Sequence, residues 1–214
     1  MSMKTEISSA EIQALVERQL TNLFMFDAAS EQEYLSPGIS LALKSVEHCF
    51  ENVANKYYRR DGEVYFNPFH SGQNSIFLYF LSAHVFELQK GQRSTLCDRI
   101  YYLNKCLNGV DLFYQVQMPS VFYLDHPVGS VMGRANYGEG FSFTQNCTVG
   151  NNHGIYPSFG VNVSMLSGSK VIGDCVIGDN VTVAANTFIK DAVIPPDSLV
   201  FGASPNLVIK PKKR

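Results

Sequence analysis

The sequence predicts an α+β protein, a helical domain followed by a coil of short parallel strands, on three observations. Residues 159–194 divide into six consecutive hexads whose first place is apolar every time: Phe159, Met165, Val171, Ile177, Val183 and Ile189. Their fifth places hold small or β-branched residues: Val163, Ser169, Cys175, Val181, Thr187 and Val193. Residues 1–108 carry their apolar positions at helical spacing instead, and that texture stops at Gly109.

A helix repeats every 3.6 residues and an ordinary strand every 2, so a sustained period of six fits neither. It fits the hexapeptide repeats of a parallel β-helix, in which each hexad is one short strand and a turn and three hexads close a triangular rung. The first residue points into the prism axis. The fifth sits by the corner, where a bulky chain would clash. Gly173-Asp174, Gly178-Asp179-Asn180 and Asn186 supply the turns. The competing arrangement, ordinary strands in a sandwich, has no reason to keep six hexads in register.

In the first half, Ser8 and Glu11 have capping-box spacing ahead of a helix to about Phe26 that buries Ile12, Leu15, Val16 and Leu20. Ser36-Pro37 reads as the start of a second helix, with proline in the first turn. Its apolar stripe is Ile39, Leu43, Val46, Phe50 and Val53. Residues 59–72 read as a loop. Helices from Ile76 to Gln89 and from Ser94 to Leu107 stop at Gly91 and Gly109. His84, on an apolar helix, reads as a satisfied structural histidine, and His48 and His70 lack a partner cluster. The expected organisation is a helical, oligomerising domain over 1–108, a coil over 109–200 and a tail over 201–214.

Looser hexads start at Val131, Tyr137, Phe143 and Val149. Between Val149 and Phe159 the register gains about four residues, which bulge as a loop containing His153 and Tyr156. Insertions into such coils commonly lie on a functional face.

Composition narrows the function. The apolar fraction of 45% is that of a globular protein. A formal charge of −2 gives no reason to expect nucleic acid. No apolar run reaches membrane-spanning length, and the first residues lack the apolar core of a secretion signal. Five cysteines without CxxC spacing suit a reduced cytoplasm and no metal. The coil half holds two histidines, His126 and His153. Asp125 adjoins His126, and Asp111 lies fifteen residues earlier, about one turn of a coil. A carboxylate beside an imidazole fixes its tautomer and suits a general base near neutral pH. A purely structural Asp–His pair has the same spacing.

The run Gly109-Val110-Asp111-Leu112, then Leu124-Asp125-His126, then Val128-Gly129-Ser130-Val131-Met132-Gly133, resembles the catalytic stretch of the serine acetyltransferases, roughly GVDIHP…LDHATGIVVG. The likeness continues through 163–173, 177–189 and 201–205. It covers about residues 109–209. It implies a left-handed β-helix behind a helical domain, and acetyl transfer from acetyl-CoA to a hydroxyl without a metal. His126 matches the family's catalytic base and Asp111 the carboxylate that orients it. Ser167 and Ala185 match small residues beside the pantetheine arm, in a groove between coils of a homotrimer or a dimer of trimers. Lys210 and Lys212 are candidate partners of the CoA phosphates, by charge alone. The family's inserted loop carries GGTGK and an Arg-His pair. Here it reads Gly150-Asn151-Asn152-His153-Gly154-Ile155-Tyr156-Pro157, with Ile155 and Tyr156 where Arg and His are expected.

Ile155 offers no fork of donors to an amino-acid carboxylate. The expected acceptor is therefore a hydroxyl or amine of a sugar-like small molecule, met by Asp125, His153 and Tyr156. Serine O-acetylation is the alternative. A scaffold without catalysis has the intact Asp111 and His126 against it. A metal hydratase of carbonic-anhydrase type needs three histidines, against two in the coil.

Overall fold

In a computed structural model the described residues, 3–212, form two compact units divided between Asn108 and Gly109. The first holds four helices: α1 (Ser9–Phe24), α2 (Ala28–Glu51), α3 (Ser71–Leu88) and α4 (Thr95–Asn108). The capping box of α1 forms as the sequence predicts: the Ser8 hydroxyl accepts from the Glu11 N–H, and the Glu11 carboxylate accepts from the Ser8 N–H. Ile12, Val16 and Leu20 are buried, and Leu15 is half-buried.

α2 departs from expectation. It begins at Ala28, capped by Asp27, whose carboxylate accepts from the Ala29 N–H while Glu31 accepts from the Asp27 N–H. Pro37 therefore lies inside the helix. Gly38 follows it where α3 approaches most closely: a Cβ there would meet Val85 Cγ2 at 2.8 Å and Leu81 Cδ1 at 3.2 Å. The Pro-Gly pair marks a helix crossing, and close packing outweighs one lost backbone bond.

The segment read as a loop is a hairpin. Arg59–Arg60 pairs antiparallel with Glu63–Phe66, which also pairs with Lys4–Thr5. Asp61 and Gly62 turn it, both at positive φ, the signature of an Asp-Gly two-residue turn. α3 is buried on nearly every side, which explains its apolar run. His70 caps it, its Nδ1 accepting from the Gln73 N–H. His84 meets Ser45 Oγ at 2.8 Å and Glu87 Oε2 at 3.0 Å.

The second unit is a three-sided parallel β-solenoid. One face stacks Asp111–Leu112, Val131–Met132, Thr148–Gly150, Lys170–Ile172 and Phe188–Lys190. The next stacks Phe122–Leu124, Phe141–Phe143, Ser164–Met165, Thr182–Val183 and Ser198–Ala203. The third stacks Ser158–Phe159, Val176–Ile177 and Val193–Ile194. All six first-place residues are buried, from Phe159 at 4% to Met165, Val171, Val183 and Ile189 at 0%.

Two register details differ from the sequence reading. Val193, read as a fifth-place corner residue, is 70% exposed, and Ile194 takes the inward first place of the next hexad one residue early. Lys170 pairs with Phe188, eighteen residues on, but Ile177 pairs with Ile194, only seventeen on. One residue is missing from the corner at Asp191, which takes φ 48° to turn in the shorter span. At the other end Met132, not Val131, fills the axis: Val131 is 42% exposed and Met132 2%. The register is again one residue short, Met132 pairing with Val149 seventeen residues on. Nor is the tail a separate piece. Ser198–Ala203 continues the coil, and Asn206–Pro211 folds back antiparallel upon it. No helix among the described residues is long and apolar enough to cross a membrane.

Candidate active site

The corner between the second and first faces forms one straight column. The Asn146 N–H donates to the Val128 carbonyl at 3.0 Å, the Gly168 N–H to Gln145 at 2.9 Å and the Asn186 N–H to Ser167 at 2.9 Å. Each rung thus stacks its turn on the one below, and Ser167 lies beneath Ala185–Asn186. Gly129 and Gly168 adopt positive φ at this corner, and a Cβ on either would strike the asparagine of the next rung at 2.3 Å. The turns at this corner therefore stack tightly, with Ser167 and Ala185 on successive rungs of the column. Ala185 is exposed and Ser167 half-buried.

His126 stands at the foot of this column, in the turn from Phe122–Leu124 into Val131–Met132. Its carbonyl accepts from the Val128 N–H at 2.8 Å. Its φ is 48°. The other positive-φ non-glycine residues of the solenoid are Asn or Asp, except His153. Asparagine and aspartate enter that region most readily, and histidine is also enriched there. A solvent-facing imidazole thus projects from the corner, its side chain 83% exposed, with Nε2 3.5 Å from Asp125 Oδ1. Asp111 lies on the same face one rung earlier. Its strand pairs with Val131–Met132, and its N–H donates to the Ser130 carbonyl at 2.8 Å. The Gly129 N–H donates to Gly109 at 2.8 Å, tying the rung of Asp111 to the turn that carries His126.

His153 and Tyr156 are elsewhere. The four-residue insertion is visible in the register: Val149 pairs with Val171, twenty-two residues on instead of eighteen. It forms a small hairpin closed by the Asn152–Ile155 bridge, with His153 and Gly154 at positive φ. It rises from the far edge of the first face, one corner away from His126. There Tyr156 lines a cleft of about 510 Å³ with Gln115, Gln117, Arg134, Ala135 and Asn136. Two backbone bonds stitch the loop's return leg to the rung below, Asn136 N–H to Pro157 at 3.1 Å and Phe159 N–H to Asn136 at 2.7 Å. Gly133 lets these rungs close: a Cβ there would lie 2.6 Å from the Val149 carbonyl.

The structure therefore brings His126, Asp125, Ser167 and Ala185 to one edge and sets His153 and Tyr156 at the other. Lys210 lies in the terminal strand with its ammonium 5.8 Å over the Phe201 ring. Phe201 follows Val200, which crosses the top of the His126 column through the Ala184 N–H to Val200 bond at 2.9 Å. Lys212 is at a different corner, its ammonium on the Asn180 carbonyl at 3.3 Å. Sequence reasoning missed Arg134. It sits three residues beyond Val131, and a coil read in sixes gives no sign that this corner meets the insertion on the next rung. The inserted loop carries Ile155 and Tyr156 as read, and the cation beside Tyr156 comes from a different rung, as Arg134. Among the described residues there is no cluster of three or more His, Cys, Asp or Glu able to hold a metal ion.

No protein-family model matches the chain. It is 28% identical over 139 residues to a serine acetyltransferase of Staphylococcus xylosus, a match spanning 63% of this chain and 63% of that relative's length. In three dimensions it is similar to a serine acetyltransferase of Neisseria gonorrhoeae, with TM-score 0.72, 20% identity and coverage of 98% of this chain and 82% of the other. A serine acetyltransferase solved in complex with CoA superposes with TM-score 0.70 and 17% identity, over 94% of this chain and 84% of the other. In sequence over those 139 residues, and in fold over nearly its whole length, the chain is similar to serine acetyltransferases.

Proposed function

We propose that the protein transfers acetyl from acetyl-CoA to the hydroxyl of a small acceptor, with His126 as general base. The observation that carries this is the one edge shared by an exposed imidazole and, above it, a column of small corner residues. The CoA arm runs along Ser167 and Ala185, with Lys210 at the upper end for its phosphates, and the thioester reaches the foot beside His126. The acceptor oxygen attacks the thioester carbonyl and its proton passes to His126. As the tetrahedral intermediate collapses, the C–S bond breaks and the sulfur leaves as thiolate, which takes the proton from His126 to become CoA thiol. The Asp125 carboxylate, with Oδ1 3.5 Å from Nε2, lies beside the imidazole during that interval. Asp111 is the orienting carboxylate. The residues present call for no metal in this step.

The acceptor edge is one corner away, so a single chain does not complete the site. Three coils around an axis, each presenting its first face inward, bring the His126 edge of one subunit to the Tyr156 edge of the next. This homotrimer makes the site composite, and the helical unit pairs trimers if a larger assembly forms.

L-serine is the favoured acceptor, because the similar proteins are serine acetyltransferases. A sugar-type acceptor is the second reading, favoured by Ile155-Tyr156 and by the neutral amides of the cleft. A thiol-release assay with acetyl-CoA against L-serine, amino sugars and nucleotide sugars tests both. Release above background that depends on His126 supports acetyl transfer, and its absence with every acceptor removes it.

A further inference from the structure

We infer that the cleft at the Arg134 edge binds the carboxylate of a small hydroxylated acid; that this acid is the acetyl acceptor rests on the transfer reading above. The cleft is built from three stacked rungs: Gln115 and Gln117 from the lowest, Arg134, Ala135 and Asn136 from the middle, and Tyr156 from the insertion above. Arg134 is its one charged side chain. Among the described residues its guanidinium has neither an ion-pair nor a hydrogen-bond partner within the chain. Three arginines of the helical unit are paired with carboxylates, Arg60 with Glu6, Arg93 with Asp98 and Arg99 with Glu31. The backbone that carries it is fixed by the Gly133 contact and by the two bonds through Asn136. A planar fork with five donors, held at the mouth of a polar cleft and left unpaired, matches a carboxylate in two-point contact. The amides of Gln115, Gln117 and Asn136 and the Tyr156 hydroxyl offer donors and acceptors to an amine or hydroxyl on the same molecule.

One cation suits one negative charge. A phosphate carries the same oxyanion chemistry and reaches the cleft only as part of a larger ligand such as a nucleotide sugar, so the test separates the two. Calorimetric titration of the full-length protein uses L-serine, L-homoserine and L-lactate as carboxylates, serinol (L-serine's analogue without the carboxylate) and UDP-glucose as the phosphate probe. The wild-type protein is expected to bind at least one of the carboxylates, and to bind L-serine more tightly than serinol. Arg134→Gln is expected to weaken carboxylate binding about 10- to 150-fold, the loss of a charge-assisted pair, and to leave serinol unchanged. Arg134→Lys, which keeps charge without the fork, is expected between the two. Both variants lie at an exposed corner and should melt as the wild type does. Equal L-serine affinity in Arg134→Gln, no binding of any of the three carboxylates, or UDP-glucose binding more tightly than all of them overturns the inference. Failure of the transfer reading is seen separately, as intact carboxylate binding without thiol release.

Discussion

His126 and Arg134 stand on the same rung of the coil, at opposite edges of one face, with Val131–Met132 between them. The imidazole is at the foot of the small-residue column and the guanidinium is in the polar cleft. In the proposed trimer, an acceptor held at one edge meets the base of the neighbouring subunit.

That separation gives a complementation test. Subunits carrying His126→Ala and subunits carrying Arg134→Gln are each expected to be poor enzymes with L-serine. In trimers mixed at random in equal amounts, roughly a quarter of the interfaces pair an intact His126 with an intact Arg134. Co-expressed, the two variants should therefore recover a like share of wild-type activity. No recovery in trimers verified to be mixed places both residues' work inside one subunit and contradicts the composite site.

The cosubstrate column is tested by bulk. Ala185 is exposed, so Ala185→Trp should fold normally. It fills the space above Ser167 and should raise KM for acetyl-CoA about tenfold or more, equivalent to about 1.4 kcal/mol, with little change in KM for the acceptor. Steady-state kinetics with each substrate varied in turn reads this out, and an unchanged KM for acetyl-CoA moves the pantetheine arm off this edge.

The corrected register makes a stability prediction. Met132 is buried, so Met132→Ala should cost about 2–5 kcal/mol. Val131 and Val193 face outward, so their alanine variants should stay within about 0.5 kcal/mol of the parent when assayed as monomers. Denaturant unfolding decides, and the reverse order would restore Val131 as the inward residue.

The coil was legible because its signal is a repeat. Six apolar first places in step leave only one periodicity, and the insertion showed itself as four surplus residues before Phe159. The dropped residue near Asp191 was invisible, because Val193 and Ile194 are both apolar and only pairing with Val176 and Ile177 tells them apart. The start of α2 was missed because Ser36-Pro37 imitates an N-terminus, while the true cap, Asp27, lies ahead of a polar first turn. Of the candidate site residues, the resemblance singles out His126, Ser167 and Ala185, and the structure sets them along one edge. Arg134 was not readable. Its meaning comes from Tyr156, twenty-two residues away, and that neighbourhood exists only once the rungs are stacked.

The most direct test of the account is thiol release from acetyl-CoA with L-serine, comparing wild type with His126→Ala. The account predicts steady turnover by the wild type and a kcat lower by about 10²–10⁴-fold in the variant, with acetyl-CoA affinity retained and a smaller loss for Asp111→Asn. Undiminished turnover in a correctly folded His126→Ala protein, or no His126-dependent release with L-serine or any other hydroxylated acceptor, would contradict it.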